Sequence, residues 1–127
     1  MPGFWIFMFL FNLMLPLTMI GFGRYFYKQA PGEINSVFGY RTKRSMKNRD
    51  TWRFAHKHIG NTWKTLGLVL LVASSLAMMF LLGQETDQVG RIGSLITGIQ
   101  VVLMIGSIFP TESALKHTFD EKGQKKT

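Results

Sequence analysis

Five side chains are candidates for acid–base or nucleophilic chemistry: Arg41, Ser45, His56, Glu112 and Asp120. An imidazole or carboxylate among them could serve as a general base if it reached its substrate. A guanidinium could hold an anionic group. Together they would suit an enzyme acting on lipid or peptide at a membrane surface. The sequence offers no nucleophile elbow and no HExxH pattern. That favours a binding protein over an enzyme, and no residue is assigned a catalytic role. His56 and His58 are two apart, so they point to different helix faces. A metal site would need Glu112 or Asp120 as a further ligand, and the HxxxH-type spacing is absent. With no cysteine in the chain, disulfides, thiolate metal sites and cysteine nucleophiles are excluded. No metal or other cofactor is expected.

Most of these candidates lie in or near one basic stretch, "INSVFGYRTKRSMKNRDTWRFAHKHIG", Ile34 to Gly60. By charge alone it could bind nucleic acid. The rest of the chain suggests another reason for the charge. Three runs carry no charged residue: Phe4 to Phe22, Thr65 to Gly83 and Ile92 to Phe109. A bilayer core roughly 30 Å thick takes about 20 helical residues, and each run is long enough. Three buried helices of this kind in 127 residues would leave too little amphipathic sequence to cover them as a soluble core. The first run is too long for a signal-peptide apolar region, has no Lys or Arg before it and is followed by no small-x-small cleavage site. It reads as a retained membrane helix.

The expected architecture is an all-α membrane protein with a single domain over 1–127. The spans are 4–22, 65–83 and 92–109. A basic loop covers 23–64, an outer loop 84–91 and a tail 110–127. The basic loop holds ten Lys/Arg against two carboxylates, which equals the net charge of +8 for the whole chain. Short loops rich in Lys and Arg stay in the cytoplasm. The N-terminus is therefore expected outside, and the basic loop and C-terminus in the cytoplasm, in a multi-pass protein of the cell membrane. Topology and anionic lipid headgroups account for the charge without nucleic acid.

Within the basic loop, Pro31-Gly32 and Phe38-Gly39-Tyr40 read as turns. Asn48 or Asp50 can cap a helix that places Trp52, Ala55, Ile59 and Trp63 on one face. Arg49, Arg53, Lys57 and Lys64 fall on the other. Such a helix is expected to lie in the membrane interface between the first two spans, with a bend at Gly60. In the spans, small and hydrogen-bonding residues recur at helical spacing: Asn12, Pro16, Met19 and Gly23; Gly67, Leu71, Ser74 and Met78; Gly93, Thr97, Gln100, Met104 and Ser107. Stripes like these form helix–helix interfaces in lipid and are expected to face one another. Pro16 is expected to kink the first span.

Two segments carry a resemblance. "NSVFGYRTKRSMKNRDTWRFAHKHIG" fits N-x-x-x-G-Y-R-T-x-x-S-M-x-N-x-x-T-W-x-x-A, and "PTESALKHTFDEKGQKK" fits P-T-E-x-x-L-x-x-x-F-D-x-x-G. With three spans in the expected places, the chain resembles the SdpI-type bacterial membrane proteins over nearly its whole length. The namesake has additional membrane helices ahead of this module, so the likeness is to its C-terminal three-helix part. The resemblance implies immunity to a secreted peptide toxin, and signalling by holding a cytosolic transcriptional repressor at the membrane. It marks Asn35, Gly39, Tyr40, Arg41, Thr42, Ser45, Asn48, Trp52, Pro110, Thr111, Glu112 and Asp120 as motif or binding candidates, to which the residue reading adds His56.

Pro110 can open a short helix after the third span. Glu112 would then lie near headgroup level, where a carboxylate needs a partner. Arg41 is the expected partner, forking onto the carboxylate, with Thr42, Ser45, Asn48 and His56 completing a polar cluster. Three functions compete: a non-enzymatic immunity and sensing protein, a membrane enzyme, and a small transporter subunit. The uncharged spans speak against transport, and three helices would have to oligomerise to make a pore. A homo-oligomer stays open.

Overall fold

The computed structural model describes residues 2–32, 34 and 39–126. The described residues form four helices: α1 Pro2–Lys28, α2 Arg49–Phe80, α3 Thr86–Gly106 and α4 Ile108–Thr118. Among the described residues, three helical stretches are long and apolar enough to cross a membrane: α1, α2, and α3 running on into α4. Many large apolar side chains are exposed along them, including Met14, Val72, Leu95, Val102 and Phe109, which suits lipid rather than water. The protein is an all-helical membrane protein. The expected outer loop shrinks, because α3 already starts at Thr86.

The separate interfacial helix expected between the first two spans is not formed. Arg49–Phe80 is one unbroken helix of 32 residues, about 48 Å long at 1.5 Å per residue. Asn48 caps it. Its side chain accepts from Thr51 N at 2.9 Å, and the Thr51 hydroxyl takes the Asn48 N–H at 3.0 Å. The expected apolar face of Trp52, Ala55, Ile59 and Trp63 turns into protein: Ala55 and Ile59 pack with Phe26, Tyr40, Leu115 and Phe119, the half-buried Trp63 lies against that cluster, and the buried Trp52 lies against His56. Protein covers this face, so lipid does not have to.

Gly60 is no hinge either. A Cβ there would come within 2.5 Å of Tyr27 N, and one at Gly23 within 2.5 Å of Lys64 N. All these neighbours are backbone, so only glycine lets α1 and α2 touch at this crossing. The two run antiparallel: Gly23 meets Gly60, Gly67 meets Pro16, and Trp5 donates to Met78 O at 2.8 Å.

The stripes do face one another, at mid-span. Thr97 donates to Asn12 Oδ1 at 2.5 Å, and Gln100 Nε2 donates to Asn12 O at 2.9 Å and Ser74 Oγ at 2.7 Å. Asn12, Ser74 and Gln100 are buried. An apolar cluster of Met8, Met78, Leu81 and Val89 lies on one side of this network, and the Phe26–Phe119 cluster on the other. The latter packs beneath the basic segment and holds the candidate site.

Candidate functional site at the basic end

Three elements converge here: residues 39–48, the first turns of α2, and α4 with the tail. The segment 39–48 is fixed from its start. Gly39 has φ +111° and a Cβ there would stand 2.6 Å from His56 Nε2. Glycine is needed on both counts. The next residue then donates its N–H to His56 Nε2 at 2.8 Å. A backbone N–H can only donate, so Nε2 must be the bare nitrogen. Nδ1 carries the proton and faces Trp52 O at 2.8 Å. His56 is thus a neutral, fully buried strut, edge-on to Phe26 and Tyr40 and tilted against Trp52.

Glu112 lies near this segment, as expected, but its partner is not Arg41. Glu112 Oε2 accepts from the Tyr40 hydroxyl at 2.5 Å and from the Thr42 hydroxyl at 2.7 Å. Among the described residues the single ion pair is Arg91–Asp87, at the opposite end. Residues 40 and 42 face α4 and Arg41 faces out, exposed. Burial, then the bond to Glu112 and its charge, push the Tyr40 phenol above its ordinary value. A neutral phenol is what donates to a carboxylate.

The remaining motif residues hold the backbone. Ser45 Oγ takes the Thr42 N–H at 2.9 Å and lies 3.0 Å from both Tyr40 O and Thr42 O. Trp52 Nε1 donates to Pro31 O at 2.9 Å, closing the connection after α1. Asn48 Nδ2 reaches Gly123 O at 2.6 Å, tying the tail to the start of α2. Asp120 accepts the N–H groups of Lys122 and Gln124, both at 2.9 Å, and these bonds hold its carboxyl below the usual range. Glu112 and Asp120 border one cavity of about 380 Å³ with Lys43, Arg44 and Lys47. Pro110 lies exposed in the first turn of α4, and Thr111 is buried 2.8 Å from His58 Nδ1. Asn35 lies outside the described residues.

Three contacts of this site were missing from the sequence reading. Thr51 completes the capping box, a signal present in the N-x-x-T spacing. His58 meets Thr111, and Trp63 Nε1 donates to Ser107 Oγ at 2.8 Å across the α3–α4 junction. No local spacing announces pairs so far apart in the chain.

This arrangement is poor for catalysis. The Ser45 hydroxyl faces carbonyls rather than a base, both nitrogens of His56 are occupied, and Glu112 is held by two hydroxyls. No group of His, Asp and Glu suited to a metal ion occurs among the described residues. Beside the site a second cavity, about 470 Å³, runs between α1 and α3. Leu15, Met19, Phe22, Met104 and Ile108 line it, and Tyr40, Arg41 and Thr42 close its end.

A family model described as the SdpI/YfhL protein family matches residues 33–111. The chain belongs to the SdpI/YfhL family. The match takes in residues 39–48, all of α2 and α3, and the start of α4 through Thr111. No curated protein and no solved structure was found to match the chain.

Proposed function

We propose that this SdpI/YfhL-family protein is a non-enzymatic immunity and sensing protein of the cell membrane, with its basic end in the cytoplasm. The observation that carries the proposal is the contrast between Arg41 and its neighbours. Tyr40, Thr42, Ser45, Asn48, Trp52, His56 and Glu112 all satisfy partners inside the fold. Arg41 is exposed and has no hydrogen bond or ion pair among the described residues. Of the charged motif residues described, Arg41, Glu112 and Asp120, it is the one with no partner inside the fold.

The cavity between α1 and α3 supplies the input. It is apolar, lies along the spans, and ends on Tyr40, Arg41 and Thr42. A volume of about 470 Å³ falls within the roughly 300–1,000 Å³ of ligand sites. A peptide toxin seated there would press on the segment that presents Arg41. A cytosolic repressor docking on that segment would read the change. The ten Lys/Arg of 23–64 support a cytoplasmic placement.

The test is survival. A bacterium sensitive to the family's peptide toxin expresses the chain or its Arg41→Ala variant at equal membrane abundance. Protection by the wild type and its loss in the variant are expected. If neither protects, the immunity reading fails. If both protect equally, Arg41 has no part in immunity.

A further inference from the structure

Away from Glu112, the outer face of the α1–α2 pair gathers positive charge around one cavity. Arg24 and Lys28 stand one turn apart on α1, Lys64 comes from α2, and Tyr27 lies between them. The Lys64 ammonium is 4.2 Å from the centroid of the Tyr27 ring, and that of Lys57 is 5.6 Å away. The backbone contact at Gly23 and Gly60 sets this closeness, since it fixes Lys64 N against α1. No carboxylate lines the cavity, and none of these cations has an ion pair among the described residues.

Like charges gathered at one place repel unless an anion joins them. The Tyr27 face offsets part of that cost. The other walls are Ile20 and Leu68, and the volume is about 460 Å³. Leu68 is 57% exposed and lies just inside the uncharged run of α2. Basic wall and apolar wall therefore meet at the edge of the span. This suits a phospholipid, with its phosphate among the cations and its acyl chain against the aliphatic side chains. Basic pockets between membrane helices bind anionic headgroups in this way.

We propose that Arg24, Lys28 and Lys64, with Tyr27, hold the phosphate of one anionic phospholipid whose acyl chain lies along Ile20 and Leu68. The site belongs to whichever leaflet meets the basic end. It is separate from the toxin cavity and does not depend on the immunity reading.

The experiment is native mass spectrometry of the full chain released from nanodiscs with equal phosphatidylglycerol and phosphatidylcholine. Retained phosphatidylglycerol is expected to exceed phosphatidylcholine several-fold. The excess should fall about fivefold in each of the single variants Arg24→Gln, Lys28→Gln and Lys64→Gln, and vanish in the variant that combines all three. A control losing Arg44, Lys47 and Lys122 to Gln should keep it. Should the combined variant not fold, Lys28→Glu alone, exposed in the last turn of α1, must lower the ratio. An equal loss in the control, or none in the site variants, overturns the proposal. Displacement of the lipid by excess inorganic phosphate would make this a free-phosphate site and overturn it too.

Discussion

Glu112 holds residues 39–48 to α4 through two hydroxyl donors on one carboxylate oxygen. Hydrogen bonds to a charged group contribute about 1.5–3 kcal/mol each. Tyr40→Phe and Glu112→Gln should each destabilise the protein on thermal unfolding in detergent. Their double variant should lose less than the sum of the two, because both changes remove one contact. The Tyr40 phenol is raised above its ordinary value, so folding favours its neutral form. That stabilisation is in full force below an ordinary tyrosine's value near 10 and fades as pH rises beyond it. An absorbance titration should accordingly show no phenolate from Tyr40 at about pH 10, read as wild type minus Tyr40→Phe. A phenolate half formed there would contradict the buried contact. The sequence made Glu112 legible as a carboxylate needing a partner. It pointed to Arg41 because a guanidinium is the stronger partner in isolation. Residues 40 and 42 turn inward and 41 outward, and that alternation depends on Gly39 meeting His56, which charge reasoning does not capture.

At the scale of helices, the crossing of α1 and α2 rests on two glycines with no room for a methyl group. Gly60→Ala forces backbone apart and should cost about 1–3 kcal/mol, the range for overpacking. Gly21→Ala has nothing within 4 Å of the new Cβ and should be neutral or slightly stabilising. Thermal unfolding of the two variants side by side checks this, and equal behaviour would contradict the close crossing. The spans and their facing stripes were legible because lipid imposes length and because small and polar residues mark packed faces. The continuity of α2 was not. An amphipathic stretch with Trp on one side reads the same whether lipid or protein covers that side. Here the cover comes from Phe26, Tyr40, Leu115 and Phe119, residues distant in the chain.

The whole molecule is polarised. One end carries most of the Lys and Arg, while Glu85, Asp87 and Arg91 lie at the other. In the proposed orientation, an impermeant thiol reagent added to intact cells should label Asp87→Cys. It should reach Lys43→Cys only after permeabilisation. The wild type has no cysteine, so each label is unambiguous, and the reverse pattern would put the basic end outside. Between these ends lies the proposed path from the α1–α3 cavity through Tyr40 and Thr42 to Arg41. Its most direct test is the labelling rate of Lys43→Cys in inside-out vesicles, with and without the family's peptide toxin. The rate should change with toxin in the otherwise wild-type chain and stay constant when Glu112→Gln is added. A rate indifferent to toxin, at toxin levels against which the same chain protects cells, would contradict coupling between the membrane cavity and the basic face.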